Sequence, residues 1–186
     1  TKILQVASEV FSLSAERIKV HTTNTLRIAN TSPTAASAGA DLNGHATRIA
    51  CETILERLKE VALEMLRSKN EVWTLNDISL KDEVVFLDKE KTDITWESLV
   101  LEAYFRRVNL SEHAHYAPQG IGFDWSISKG HPFAYHVYGT AIVGVTVDCI
   151  RGTYEVDYVK TCHDFGKTMN TAVDFGQIEG GIVQGI

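Results

Sequence analysis

The sequence predicts an α+β fold, with mixed helices packed on a largely antiparallel sheet. Three observations carry that reading. Apolar residues recur at helical spacing over 2–11, 33–67 and 95–107. From 110 onward, short β-type segments take over. Within them, Arg151-Gly152 separates Val143-Gly144-Val145-Thr146-Val147-Asp148 from Tyr154-Glu155-Val156-Asp157-Tyr158-Val159, which is a hairpin signal.

In chain order, Ile3, Val6, Ala7 and Val10 share one face of a first helix over 2–11. Residues 14–17 read as a turn before a short strand over 18–21. The strongest helical signal opens at Ser32-Pro33. Serine is a good N-cap, and proline suits the first helical position because its missing N–H is unpaired there anyway. From there to about Arg67, Ile49, Ile54, Leu58, Val61 and Met65 follow the 3.6-residue period. Two short strands are expected over 73–88, from the partial alternation of Ile78/Leu80 and Val84/Phe86. Thr95 caps a further helix to Arg107, with Trp96, Leu99, Val100, Ala103 and Tyr104 on its inner face. Strands follow over 110–115, 121–125, 134–148 and 154–161, and a glycine-rich helix runs from about Ala172 to the last residue. With no repeat or linker in view, residues 1–186 are read as a single domain. The terminal helical pattern is still running at Ile186, so a truncated piece of a larger domain is expected.

Composition excludes several classes. The 186 residues carry 18 Lys+Arg against 24 Asp+Glu, a formal charge of −6, with 44% apolar and 23% charged residues. That is ordinary for a chain with its own core. The acidic balance argues against nucleic acid as a partner, and no apolar run approaches a membrane span. The first residues lack the basic-then-apolar pattern of a signal peptide. Three widely spaced cysteines suggest neither a disulfide framework nor a CxxC metal site. A cytoplasmic location is the expectation.

Four segments carry residue types with chemistry. Cys162-His163-Asp164 contains nucleophile, base and orienter types, but on a strand end neighbouring side chains point to opposite faces and cannot pair. His113 and His115 share a strand face and could ligate a metal only with a third ligand from elsewhere. Sheet-face histidines are the simpler account. The segment Ser32-Pro33-Thr34-Ala35-Ala36-Ser37-Ala38-Gly39 combines a helix N-terminus with small side chains. Its N–H groups and the positive end of the macrodipole suit an anion. Capping followed by tight packing explains the same residues. In Gly176-Gln177-Ile178-Glu179-Gly180-Gly181-Ile182-Val183-Gln184-Gly185, two carboxamides at i and i+7 share a helical face beside glycines. A helix–helix contact through small residues is the alternative.

These motifs, taken in order, resemble one family: the molybdenum-binding subunit of the xanthine dehydrogenase / aldehyde oxidase type of molybdenum hydroxylase. Thr1–Glu9 looks like the family's helix after a Gly-Gln-Gly turn. Thr23-Asn24-Thr25 and Asn30-Thr31-Ser32-Pro33-Thr34-Ala35-Ala36-Ser37 are similar to its TNT…NSSPTAAS run. Gly130-His131-Pro132-Phe133-Ala134-Tyr135 resembles the segment before its hairpin. Asp164-Phe165-Gly166, Asn170 and Gly176–Gly185 are similar to its DxG…N…GQxxGGxxQG. The SPTAAS and GHPFAY runs are closest to xanthine dehydrogenase.

The resemblance implies a molybdopterin-binding domain and the oxidative hydroxylation of a purine carbon, hypoxanthine or xanthine to urate, with water as the oxygen source. Electrons would leave through molybdopterin to 2Fe-2S clusters and FAD on other domains or subunits, and then to NAD. An oligomer would be the working form. Carried over residue by residue, the implied cofactor contacts are Thr34, Ala35, Ala36, Ser37, Ala38 and Gly39, with Ala36 nearest the metal and Gln184 on the pterin side. Gly39 stands where a serine is common, and Ile142 where some members have a cysteine, so a side-chain contact is lost at each. The Gly-Gln-Gly turn, the substrate-pocket residues and the catalytic glutamate have no match in these residues. No catalytic residue is therefore assigned, and the piece alone is expected to lack activity and bound cofactor. Two other readings stay open: a non-enzymatic α+β interaction domain, and a metal module built on the histidines.

Overall fold

A computed structural model describes residues 1–22, 24–26, 38–67 and 72–186. Helix α1 (Lys2–Phe11) packs along α2 (Gly39–Leu66) through the apolar face expected from its sequence. Val6 faces Gly44, with room for a methyl group between them. A Cβ built at that glycine would stand 3.8 Å from a Val6 methyl. α1 ends at Ser12, which takes the left-handed conformation (φ 52°), and the Ser8 hydroxyl donates to the Leu13 carbonyl. A 3-10 turn, Ala15–Arg17, follows.

Beyond α2, a three-stranded antiparallel sheet is built from β1 (Ile78–Lys81), β2 (Val84–Leu87) and β3 (Glu90–Thr95), in that order. Both connections are two-residue hairpins made without glycine. Asp82-Glu83 (φ 49° and 65°) and Asp88-Lys89 (φ 46° and 70°) supply the two positive φ values that such turns need. The first turn docks on the end of α1. Ser12 accepts at its Oγ from Asp82 N–H and at its carbonyl from Glu83 N–H. α3 (Trp96–Phe105) starts directly from β3, and its N-cap Thr95 accepts from Ser98 N–H.

The core lies where α2, α3 and this sheet meet. Leu58, Val61, Ala62 and Leu63 of α2, Ile78 of β1, Val85 of β2, and Leu99 and Ala103 of α3 are buried together. Ile54, Trp73, Leu80, Trp96 and Val100 pack around them. Leu58, Ile78, Val85 and Leu99 are almost fully enclosed. Burying side chains of this size stabilises by about 1.5–3 kcal/mol each.

The described chain groups into two units, Thr1–Ala117 and Pro118–Ile186. The second is antiparallel ribbons and one helix. β4 (Gly122–Asp124) pairs with β5 (Lys129–His131), and the long β6 (Gly139–Asp148) pairs with β7 (Thr153–His163). Their turn is the expected Arg151-Gly152, where Gly152 has φ 68° and donates its N–H to the Asp148 carbonyl. Gly144 lies under the Tyr158 ring and Gly139 under the His163 ring, with no room for a Cβ at either. α4 (Thr171–Gly185) closes the chain, capped by Asn170 accepting from Val173 N–H.

The α+β class with antiparallel sheets is as the sequence predicts. Three expected elements differ. Residues 18–21 form no strand, and Val20 stands exposed with no ladder to join. Residues 110–115 form none either, and the Ser111 backbone is bonded elsewhere. The Asn109 and Ser111 carbonyls accept from the Arg57 guanidinium, and Ser111 N–H donates to Asn109 Oδ1. The strand expected from Ala134 begins only at Gly139. The expected helix start at Ser32-Pro33 lies outside the described residues.

Candidate functional site

The small-residue segment leads into α2, the longest helix described, at 28 residues. Of its expected contact residues, Thr34, Ala35, Ala36 and Ser37 lie outside the described residues. Ala38 is the N-cap of α2, and its carbonyl accepts from Leu42 N–H at 3.0 Å. Gly39 is the first helical residue and is half-buried. No side-chain hydrogen bond caps this start among the described residues. The first N–H groups of a helix have no intrahelical carbonyl to reach. Ala38, Gly39 and Ala40 place only methyl groups or hydrogen beside these N–H groups. Asp41, in the first turn, sits at the positive end of the macrodipole.

Gln184 lies on α4, in the second unit, with its side chain exposed. At 100° per residue, Gly176, Gly180, Gln177 and Gln184 fall on one face of that helix. Cβ atoms built at Gly176, Gly180 and Gly181 meet nothing within 4 Å. This face therefore offers two carboxamides, each able to donate and accept, over open ground. A pterin edge, rich in nitrogen donors and acceptors, matches that donor set, and an anionic group matches the start of α2. Taken separately, each of these two segments offers donors that fit a molybdopterin. Ile142, on β6, is exposed and lies opposite Lys160 of β7.

The other chemistry-bearing segments come out differently. Cys162 and His163 are consecutive residues of β7, opposite Thr140 and Gly139, so their side chains leave opposite faces of the ribbon. Both Cys149 and Cys162 are exposed thiols, while Cys51 is buried in α2, where desolvation pushes its thiol up. His113 and His115 lie on irregular chain instead of a strand. Among the described residues, no three His, Cys, Asp or Glu side chains gather as a metal site.

One arrangement near α2 has no signal in the sequence. The His45 ring stacks on Tyr116, with centroids 4.5 Å apart and planes 16° from parallel. His45 Nδ1 lies 2.8 Å from the Asp41 carbonyl, which can only accept, so Nδ1 carries the proton. Further along the helix, Arg57 binds the Glu112 carboxylate as well as the Asn109 and Ser111 carbonyls. That carboxyl is held below its usual range, first by His113 N–H and then by Arg57.

The Molybdopterin cofactor-binding domain family matches the chain over residues 1–186. The chain belongs to that family. Its relatives include the xanthine dehydrogenase/oxidase of Mus musculus, 37% identical over all 186 residues, and the xanthine dehydrogenase of Oryza sativa subsp. japonica, 35% identical over the same span. Aldehyde oxidase 2 of Cavia porcellus is 33% identical over 185 residues. In each case the chain is covered completely but spans only 12% of the relative. Among solved structures, a Cu,Mo-CO dehydrogenase superposes with a TM-score of 0.74 at 17% identity, covering 97% of this chain and 21% of that one. That likeness bears on the fold alone. The resemblance read from the SPTAAS and GQxxGGxxQG motifs is thus borne out, and so is the α+β class. The molybdopterin cofactor-binding domain described here has no helix, among the described residues, long and apolar enough to cross a membrane.

Proposed function

We propose that this domain supplies cofactor contacts in a molybdenum hydroxylase acting on purines, converting hypoxanthine and xanthine to urate with oxygen from water. What carries the reading is the match along the whole chain to xanthine dehydrogenases of animals and plants. The bound molybdenum cofactor would supply the two-electron redox centre. The residues of this chain hold it. Main-chain N–H groups over Thr34, Ala35, Ala36, Ser37, Ala38 and Gly39 would face it, with Ala36 nearest the metal, where the smallest chiral side chain leaves room. The start of α2, at Ala38 and Gly39, stabilises negative charge through its fixed N–H dipoles. On the pterin side, Gln184 would donate and accept through its carboxamide. No position here matches the family's catalytic glutamate, so contacts and not proton transfer are assigned to these residues.

The same reading places 2Fe-2S and FAD domains or subunits alongside, NAD as electron acceptor, an oligomeric enzyme and a cytoplasmic location. The likeness to an aldehyde oxidase at 33% identity supports a second reading, in which the substrate is an aldehyde or another N-heterocycle.

The test uses the full-length protein that contains these residues. Purified, it should carry molybdenum and pterin and oxidise hypoxanthine in preference to an aldehyde. Gln184→Ala should lower molybdenum per polypeptide by roughly tenfold, the scale of losing a partner that orients a metal group. A full-length protein without molybdenum overturns the reading. Preference for the aldehyde moves it to the second.

A further inference from the structure

We propose that residues 109–116 are a strap that holds the N-terminal half of α2, and that Tyr116 and His45 are positioning residues for the contacts at the start of that helix. The proposal rests on the reading of Ala38 and Gly39, at the start of α2, as cofactor contacts.

Burial along α2 is uneven, and that is where the need for a strap arises. Leu58, Val61, Ala62 and Leu63 lock the C-terminal third into the core. Toward the N-terminus only Cys51 and Gly44 are buried. Yet N–H groups at a helix start hold a ligand well only if that start is stationary. α1 fixes one side, through Val6 against Gly44. The segment after α3 supplies a second tie.

That segment runs antiparallel to α2. At its near end, Arg57 gathers the Asn109 and Ser111 carbonyls, at 3.1 and 3.2 Å, and the Glu112 carboxylate. Asn109 Oδ1 in turn takes both the N–H and the hydroxyl of Ser111, which stiffens the anchor. At its far end, Tyr116 lies flat on His45, about 18 Å back along the helix from Arg57 at 1.5 Å per residue. The His45 Nδ1–H then donates to the Asp41 carbonyl. Asp41 belongs to the first turn of α2. A continuous line therefore runs from the Arg57 anchor through the Tyr116 ring and the His45 ring to the turn that follows Ala38 and Gly39. The two rings are half-buried, so the stack is a surface clasp and not part of the core.

The test again uses the full-length protein, with molybdenum and pterin content read beside amide hydrogen exchange over residues 39–45. Tyr116→Ala should lower molybdenum content by roughly two- to tenfold, the factor an aromatic pair is worth, and speed exchange over 39–45. Tyr116→Phe keeps the stack and should match wild type in both. If Tyr116→Ala does not fold, Tyr116→Leu, which keeps apolar bulk but loses the flat ring, decides the same point. A lowered melting temperature with full molybdenum content and unchanged exchange overturns the proposal, since the stack would then be structural only. If the wild-type protein holds no molybdenum, the reading of the site fails separately. Exchange over 39–45 still decides the strap, and unchanged rates in Tyr116→Ala sink it.

Discussion

Thr1–Ala117 and Pro118–Ile186 are built from similar apolar residues and use them in opposite ways. In the first unit, α2, α3 and the three-stranded sheet each turn one apolar face inward, and eight buried side chains form one cluster. The second has no buried residue at all. Along β6 and β7, Ile142, Val145, Val147 and Tyr154 are all exposed, as are Phe175 and Val183 of α4. A two-stranded ribbon is marginal by itself in water. The first unit is therefore ordered by burial. Within these residues, the second shows its order in the β6–β7 ladder and in local devices: the Gly152 turn, the Asn170 cap, and Asp124 receiving the hydroxyl and N–H of Ser126. The teaching is that two regions can be equally regular in backbone while their order has different physical sources.

The largest test of that contrast is truncation. Leu58→Ala or Leu99→Ala should lower unfolding free energy by about 2–5 kcal/mol in denaturant titration. Val145→Ala in β6 should change it by less than about 0.5 kcal/mol. Similar losses at the two places would break the comparison.

Removing a cap comes next. Thr95→Ala should destabilise by about 1 kcal/mol and shift the unfolding midpoint of the first unit, because α3 is part of the core. Asn170→Ala removes an equivalent bond, yet should reduce only the helicity of 171–185, seen in carbon chemical shifts, and leave that midpoint in place. A shift in the midpoint from Asn170→Ala would tie the two units energetically.

The smallest effect is on acidification. Glu97 is held below the usual carboxylate range, first by its own N–H at the start of α3 and then by Arg17. Asp77 is held low by the N–H and hydroxyl of Thr74, and Glu112 by His113 N–H and Arg57. Each is lower in the folded state than in the unfolded one. Their contribution is thus complete above the ordinary range near pH 4 and is lost as pH falls through the folded values. Asp124, held low mainly by the Ser126 hydroxyl, follows the same sign. Urea midpoints taken from neutral pH down to about pH 3 should fall for the first unit. Over the same range, the Asp124 turn should loosen without a cooperative step.

How much of this was legible in sequence follows the same division of causes. Ile3/Val6/Val10 gave α1, Ile78/Leu80 gave β1, and Thr95 marked the start of α3, because periodicity and capping are local. The Arg151-Gly152 turn was legible for the same reason. β3 was missed because Glu90-Lys91-Thr92-Asp93 reads as a polar loop, and only Thr92 and Ile94 turn inward. Over 110–115 no strand forms, and a distant side chain, Arg57, captures the Ser111 carbonyl and that of Asn109 just before it. No local pattern reports such a capture. At the site, the motifs told the family. The stacking of His45 on Tyr116 joins residues 71 positions apart and had no pattern to betray it.

Glu83 shows what it means for one residue to serve two masters. Its backbone sits at φ 65°, where a side chain costs roughly 1 kcal/mol and glycine would sit without strain. Its carboxylate nonetheless accepts from Ser14 N–H and from Arg17, while its carbonyl takes Trp96 N–H at the head of α3. A glycine there would relax the turn and remove the carboxylate tie to Ser14 and Arg17, leaving the backbone bonds to Ser12. At this corner of the fold, a side chain that ties two segments together sits on a backbone that glycine would suit better.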